Sequence, residues 1–88
     1  MLYQIEWTDP ADRQLRKLDD QVGKRISIAV SKLATDPRPA AATPLVGHPG
    51  GTLRLRVGDY RVVYVVEDDR LIVLIVRVGH RREVYRDL

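Results

Sequence analysis

The run LRLRVGDYRVVY at residues 53–64 decides the fold of this chain. Apolar and polar side chains alternate on both sides of Gly58 and Asp59, and this period of two indicates two half-buried β-strands. Glycine at the first central position of a two-residue loop favours a type II′ turn, which fixes the register of a hairpin. The sequence therefore predicts a hairpin in which each residue before the turn has a defined partner after it.

That register assigns the side chains of the hairpin to two faces. Arg56 is expected to lie opposite Arg61. Because side chains alternate strictly between the faces of a strand, Arg54, Arg56 and Arg61 share one face. The other face, which the helices are expected to cover, carries Leu53, Leu55, Val57, Tyr60, Val62 and Tyr64.

The arginine face allows two interpretations. Like charges directly opposite each other destabilise a strand pair, so the pair Arg56 and Arg61 is typical of a surface that holds an anion. Clustered arginines suit an RNA backbone, or a phosphate that gains charge in a transition state. The alternative is a solvated outer face on which the arginines pair with Glu67 or Asp87. We favour the anion site.

The sequence before the hairpin predicts one strand and two helices. Residues 3–7 alternate as in a short strand, and a capping residue before a proline at residues 8–10 predicts a helix start. Pro37 ends a second helix, because proline lacks the amide hydrogen. The apolar faces of these amphipathic helices are Ala11, Leu15 and Leu18 in the first, and Val22, Ile26, Ala29, Val30 and Leu33 in the second.

Two further segments complete the predicted fold. Residues 71–78 are the last predicted strand, and its run at 71–76 is apolar on both faces, which predicts an interior strand of the sheet. Residues 37–52 are rich in Pro, Ala and Gly and lack periodicity, which predicts a long connection that is mobile or contacts a partner. The predicted order is β-α-α-β-β-β. This is one α+β domain over residues 1–88, with a helical hairpin packed on one face of a mainly antiparallel four-stranded sheet.

Charge and composition narrow the classes of function. The net charge is +3 and the sequence pI is about 9.6. The three lysines lie in the first half, and every Lys or Arg beyond residue 45 is an arginine. Arginine suits bidentate phosphate contacts, although a GC-rich genome produces the same bias.

Several classes of site are not expected. The chain has no cysteine, and its two histidines lie far apart without a carboxylate cluster, so we expect no disulfide, metal site or cofactor. The sequence shows no membrane-spanning run and no signal peptide, which predicts a cytoplasmic protein without membrane association.

A basic, aromatic-containing tail, GHRREVYR, follows the last strand at residues 79–86. Tyr85 is either a platform on which a base stacks or a terminal aromatic that plugs the core. His80 offers an imidazole, a group that is able to move protons, but a lone histidine after a strand is more often incidental.

Residues 53–64 together with the run VGHRREVYR at residues 78–86 resemble the RelE branch of the RelE/ParE toxin superfamily. The similarity extends over nearly the whole chain. It implies the toxin of a type II toxin–antitoxin system: a metal-independent endoribonuclease that enters the ribosomal A site, cuts mRNA and arrests translation. In that chemistry the ribose 2′-hydroxyl attacks the adjacent phosphate, which leaves a 2′,3′-cyclic phosphate and a 5′-hydroxyl.

The resemblance also implies roles for individual residues. Arg54 and Arg61 would stabilise the charge on the pentacoordinate phosphate. Arg81 would protonate or neutralise the leaving 5′-oxygen, and Tyr85 would stack on a base. The expected catalytic residues are Arg54, Arg56, Arg61, His80, Arg81 and Tyr85. The residues expected to bind substrate are Arg54, Arg56, Arg61, Arg82 and Tyr85.

The chain departs from the best-characterised members at the hairpin. Arginines stand where those members carry lysines, one of which is their proposed general base. Arginine stays protonated in proteins and is a poor proton acceptor. Either His80 transfers the proton, or catalysis relies on electrostatic stabilisation and on positioning of the 2′-hydroxyl.

The resemblance implies a cognate antitoxin, the ribosome with its mRNA, and operator DNA reached only through the antitoxin complex. Two alternatives remain open within the superfamily. One is a ParE-like protein that poisons DNA gyrase, and the other is a non-catalytic member that only binds its antitoxin.

Overall fold

The computed structural model describes residues 2–80, in which two helices pack on one face of a five-stranded sheet. The helices are α1 (Asp9–Arg16) and α2 (Asp20–Ser31), and the strands are β1 (Gln4–Trp7), β2 (Ala42–Pro44), β3 (Thr52–Val57), β4 (Tyr60–Glu67) and β5 (Ile72–His80). The strand order is β1-β5-β4-β3-β2, and only β1 and β5 run parallel. The α+β class and the interior position of β5 are confirmed.

The number of strands differs from the prediction. β2 lies within the segment expected to be a connection, where it pairs antiparallel with β3. Three residues are too few to show a period of two, and Pro44 disfavours a strand because proline is confined to edges and bulges. β2 is the outermost strand, where that restriction does not apply. The prediction of four strands was therefore one strand short.

Helix α1 begins at the predicted cap but ends at Arg16, before Leu18, and α2 ends at Ser31, ahead of the predicted stop at Pro37. Thr8 is the N-cap of α1, and its hydroxyl accepts a hydrogen bond from the Ala11 amide at 3.3 Å. Asp19 takes the N-cap position of α2, which ends in a short 3-10 turn at Lys32–Ala34 before Pro37. None of the helices within residues 2–80 is long and apolar enough to cross a membrane. The helical residues buried against the sheet are Ala11, Ile26, Val30 and Leu33.

The hairpin of β3 and β4 has the predicted register. Gly58 has a φ of +59°, whereas Asp59 does not have a positive φ, as expected for a type II′ turn. The partners across the turn are Val57 with Tyr60, Arg56 with Arg61, and Leu55 with Val62. The side chains that face the helices are those predicted: Leu53, Leu55, Val62 and Tyr64 in the core, with Val57 and Tyr60 packed against it.

A β-bulge interrupts the alternation of side chains in β5. Tyr64 of β4 pairs with Ile75, but Val63 pairs with Arg77, so Val76 is an extra residue. Ile75 lies in the core. Strict alternation from Ile75 would bring Arg77 to the same face, and the bulge turns it to the opposite one.

Helix α1 holds the bulge and the end of β5 in place. The amide and the hydroxyl of Thr8 each donate to the carbonyl of Ile75 at 3.0 Å, and the hydroxyl is 3.3 Å from the carbonyl oxygen of Val76. Further along, Oε1 of Gln14 accepts a hydrogen bond from the amide of Val78 at 2.8 Å. The residue that caps α1 therefore also fixes the irregular part of β5.

The connection after α2 is tied to the sheet at its start. The buried Tyr64 hydroxyl donates to the Pro37 carbonyl at 2.7 Å, and burial raises the pKa of Tyr64 to about 12. Arg38 forms two hydrogen bonds with Asp68, at 2.8 and 3.2 Å, and the Tyr3 hydroxyl donates to the same carboxylate at 2.7 Å. The Arg38 guanidinium, followed by Tyr3, holds the pKa of Asp68 below its usual value.

Replacement of Tyr64 by Phe tests the first of these anchors. The free energy of unfolding should fall by about 1–2 kcal/mol near neutral pH, because the Pro37 carbonyl loses its donor. The folded-state pKa of about 12 exceeds the unfolded value of about 10. Stability that depends on neutral Tyr64 is therefore complete below about pH 10 and is lost as the pH rises through about 12. The difference between wild type and Tyr64→Phe should shrink over that window.

Urea denaturation at about pH 7 and about pH 11 measures both effects. Tyr3→Phe is the matched control, and a smaller loss is expected from it because its hydrogen bond to Asp68 is exposed. Equal losses for the two variants near neutral pH would contradict the anchoring role of Tyr64.

Candidate active site

The predicted arginine face forms a concave pocket of about 510 Å³. β3 contributes Arg54 and Arg56, β4 contributes Arg61, and the turn between them contributes Gly58. The edge strand β2 closes the pocket on one side with Thr43, which pairs with Arg54. The three arginines predicted from the hairpin alone are thus brought together on the face opposite the helices.

Arg61 is held in place by the turn that precedes it. Its Nη1 donates to the carbonyl of Tyr60 at 3.1 Å and to that of Gly58 at 3.4 Å. Arg56 lies directly across the ladder and is exposed. The backbone of the turn therefore fixes one guanidinium beside a second positive charge.

Glu67 does not neutralise the arginine face, which was the alternative to an anion site. That carboxylate pairs with Arg70 at 3.2 Å. Arg56 and Arg61 take part in none of the ion pairs between residues 2–80. Asp87, the other carboxylate considered, lies outside the described residues. The repulsion between Arg56 and Arg61 thus has no carboxylate to offset it within the described part of the chain.

His80 is separated from this pocket. It pairs with Tyr60 at the end of β5, and the two rings meet edge to face with centroids 5.7 Å apart. Tyr60 packs against the core on the helix side of the sheet. Of the predicted site residues within residues 2–80, His80 is therefore the one that does not lie in the arginine pocket.

Three other candidates, Arg81, Arg82 and Tyr85, lie outside the described residues. Their roles remain predictions from the family resemblance.

Arg77 lies on the arginine face, although it was not predicted from the sequence as a site residue. Because Arg77 pairs with Val63, and Val63 pairs with Arg54, Arg77 lies on the arginine face. The one feature of the sequence that could have indicated this placement is a positive charge within a run of apolar residues.

The pocket suits an anion that gains charge. Guanidinium groups donate to phosphate oxygens in a fixed planar fork and stay protonated under all physiological conditions. Among residues 2–80, none of the side chains that line the pocket is a carboxylate, a histidine or a lysine. The pocket can therefore bind and stabilise a phosphate, but its side chains are poorly suited to accept a proton.

Comparison with known proteins agrees with the geometry. A family model described as the ParE toxin of type II toxin–antitoxin systems, parDE, matches residues 5–85. Toxin RelG of Mycobacterium tuberculosis is 33% identical over 87 residues, which cover 98% of this chain and 99% of RelG. The mRNA interferase toxin RelE of Escherichia coli K12 is 31% identical over 90 residues, with 99% of this chain and 94% of RelE covered.

Solved structures show the same fold. The toxin–antitoxin complex RelBE2 from M. tuberculosis matches with a TM-score of 0.80 and 32% identity, over 92% of this chain and all of that one (100%). The intact E. coli RelBE toxin–antitoxin complex matches with a TM-score of 0.76 and 29% identity, over 89% and 95% of the two chains. From its sequence, its fold and its family model, this chain is a RelE-type toxin of the RelE/ParE superfamily of type II toxin–antitoxin systems.

Proposed function

We propose that this toxin is a ribosome-dependent endoribonuclease that cuts mRNA in the A site and thereby arrests translation in the cytoplasm. The observation that carries the proposal is the pocket formed by Arg54, Arg56 and Arg61, in which Arg61 is fixed by backbone carbonyls. The E. coli relative RelE is itself named an mRNA interferase. A preorganised cationic pocket is what transfer at a phosphodiester requires.

The proposed reaction is an internal transfer at phosphorus in the mRNA held on the ribosome. The ribose 2′-oxygen forms a bond to the adjacent phosphorus, and the bond between phosphorus and the 5′-oxygen breaks. The 2′-hydroxyl gives its proton to water, and the leaving 5′-oxygen takes a proton from water, which yields a 2′,3′-cyclic phosphate and a 5′-hydroxyl. Arg54 and Arg61 donate to the non-bridging oxygens, where negative charge increases, so no metal or cofactor is invoked.

Positioning and charge, rather than proton transfer by this chain, carry the proposed catalysis. Arg54 and Arg56 stand where the better-known members carry lysines, one of which is their proposed base, and arginine does not deprotonate. His80 has no role in this scheme, because its ring contacts Tyr60 on the helix side of the sheet. Arg81 is proposed to neutralise the leaving oxygen, Arg82 to bind the backbone, and Tyr85 to stack on a base.

Primer extension on cellular mRNA after induction of the toxin tests the proposal. Cuts at defined positions within codons are expected. Arg61→Ala should reduce cleavage by roughly 100- to 1,000-fold, since one preorganised donor contributes about 3–4 kcal/mol at the transition state. His80→Gln is the matched control and should remain within a few-fold of wild type.

Other outcomes assign the chain differently. Filamentation and DNA-damage signalling without mRNA cuts would indicate a gyrase poison. Absence of toxicity with intact antitoxin binding would indicate a non-catalytic member. If Arg61→Ala stays fully toxic, this face is not the catalytic one.

Arg56→Gln should separate activity from stability. Removal of one charge of the Arg56–Arg61 pair should raise the free energy of unfolding by a few tenths up to about 1 kcal/mol, and less at high salt. Cleavage should fall at the same time. Arg70→Gln, which removes an exposed arginine paired with Glu67, is the control and should not stabilise the protein. A destabilised Arg56→Gln variant would show that the pair is not repulsive in the folded toxin.

We further propose a cognate antitoxin whose toxin-binding half is acidic and covers the arginine face, and that operator DNA is bound only through this complex. The relatives of known structure include RelBE toxin–antitoxin complexes. The uncompensated pair of Arg56 and Arg61 supplies the charge that an acidic segment would neutralise. Apolar contacts beside the helices would supply most of the affinity.

Association of the purified pair should slow markedly as salt reduces the Debye length from about 10 Å to a few ångströms. Stopped-flow measurement of the association rate across that range tests the idea. Arg56→Gln should flatten the salt dependence, whereas the control Arg16→Gln, on α1, should not. A rate that does not change with salt would rule out electrostatic steering by this face.

A further inference from the structure

We propose that Arg77 is an additional phosphate-binding residue of this toxin, and that it holds the RNA backbone beside the scissile phosphate. This assignment rests on the proposed ribonuclease function and extends its substrate-binding surface beyond the hairpin. Arg77 is not among the residues that line the arginine pocket. It belongs to the same sheet face, one strand further along.

The position of Arg77 follows from the ladder. Arg54, Val63 and Arg77 form one row across β3, β4 and β5, and side chains paired in this way point to the same face. Adjacent strands lie about 4.8 Å apart, so the two arginines are separated by roughly 10 Å at the backbone. An extended single strand that binds at the pocket can reach both.

The bulge makes this placement specific. Val76 is the additional residue, and its carbonyl and that of Ile75 are held by Thr8. A regular strand would turn Arg77 into the core beside Ile75. The irregularity therefore delivers a guanidinium to the face that already carries the other three.

The guanidinium has an unused donor. Nε of Arg77 is buried and has no hydrogen-bond partner within the described residues. A buried N–H without an acceptor costs about 1–3 kcal/mol. Val63, which lies between Arg77 and Arg54 in the row, is only 1% exposed, so the two arginines flank a buried apolar residue.

A phosphodiester of single-stranded RNA fits these features. It offers two acceptor oxygens to a planar donor group and carries the complementary charge. Because Arg77 lies outside the pocket, it would contribute to binding equally in the ground state and in the transition state. Loss of such a contact raises the half-saturating concentration and leaves the maximal rate unchanged.

Arg77→Met is the test, because methionine keeps an unbranched apolar stem beside Val63 and removes the charge and the unsatisfied donor. Single-turnover cleavage is measured on ribosomes programmed with a defined mRNA. The half-saturating toxin concentration should rise roughly ten- to a hundredfold, with a maximal rate within about twofold of wild type. A plot of the logarithm of the half-saturating concentration against the logarithm of the salt concentration has a slope that counts phosphate contacts. This slope should fall by about 0.7, the value for one phosphate of a single strand.

Two comparisons exclude a merely structural role. The free energy of unfolding of Arg77→Met should equal or exceed that of wild type, whereas a structural arginine would destabilise the protein when removed. Arg77→Lys keeps the charge, so it should keep the salt slope and lose less binding than Arg77→Met. Arg16→Met, on α1 at the other side of the molecule, should leave both kinetic quantities unchanged.

The failures are distinguishable. If wild type does not cleave mRNA on ribosomes, the proposed function fails and the assignment of Arg77 fails with it. If wild type cleaves and Arg77→Met has an unchanged half-saturating concentration and salt slope, only the assignment of Arg77 is wrong. If Arg77→Met cleaves normally but binds antitoxin weakly, Arg77 contacts the antitoxin and not the RNA, and the RNA assignment is overturned.

Discussion

The two-residue turn at Gly58 and Asp59 sets the face on which every side chain of β3 and β4 lies. A shift of one residue in this register would exchange the two faces. Arg56 and Arg61 would then enter the core without partners, at a cost of several kcal/mol for each buried charge. The same turn also supplies the carbonyl of Gly58, to which Arg61 donates. The core and the arginine pocket are thus two consequences of one local constraint.

A second constraint acts across the chain. Thr8 caps α1 and, through the same hydroxyl, holds the carbonyl of Ile75. This contact joins residues 67 positions apart and fixes the bulge that exchanges the faces of β5. The bulge keeps Val78 in the core while Arg77 turns outward. The turn defines the pocket, and the contact of Thr8 with β5 defines how far the basic surface extends.

These two constraints explain what could be predicted from the sequence. The turn is a local signal, since a glycine and a period of two identify the hairpin, its register and the face of Arg54, Arg56 and Arg61. The bulge and β2 are not local. β2 depends on pairing with β3, and the bulge depends on hydrogen bonds from Thr8, which is 67 residues away from Ile75. Arg77 was therefore missed, and the alternation on which the pocket was predicted would have placed it in the core.

The electrostatics of this face link its proposed substrate to its proposed inhibitor. Arg56 opposes Arg61, and the buried Nε of Arg77 lacks an acceptor within the described residues, so residues 2–80 hold positive charge that they do not themselves neutralise. Any anion that binds this face stabilises the folded toxin by mass action. An mRNA backbone and an acidic antitoxin segment would relieve the same repulsion at the same atoms. On the proposals above, the two would compete for a single surface, and inhibition would require no conformational change in the sheet.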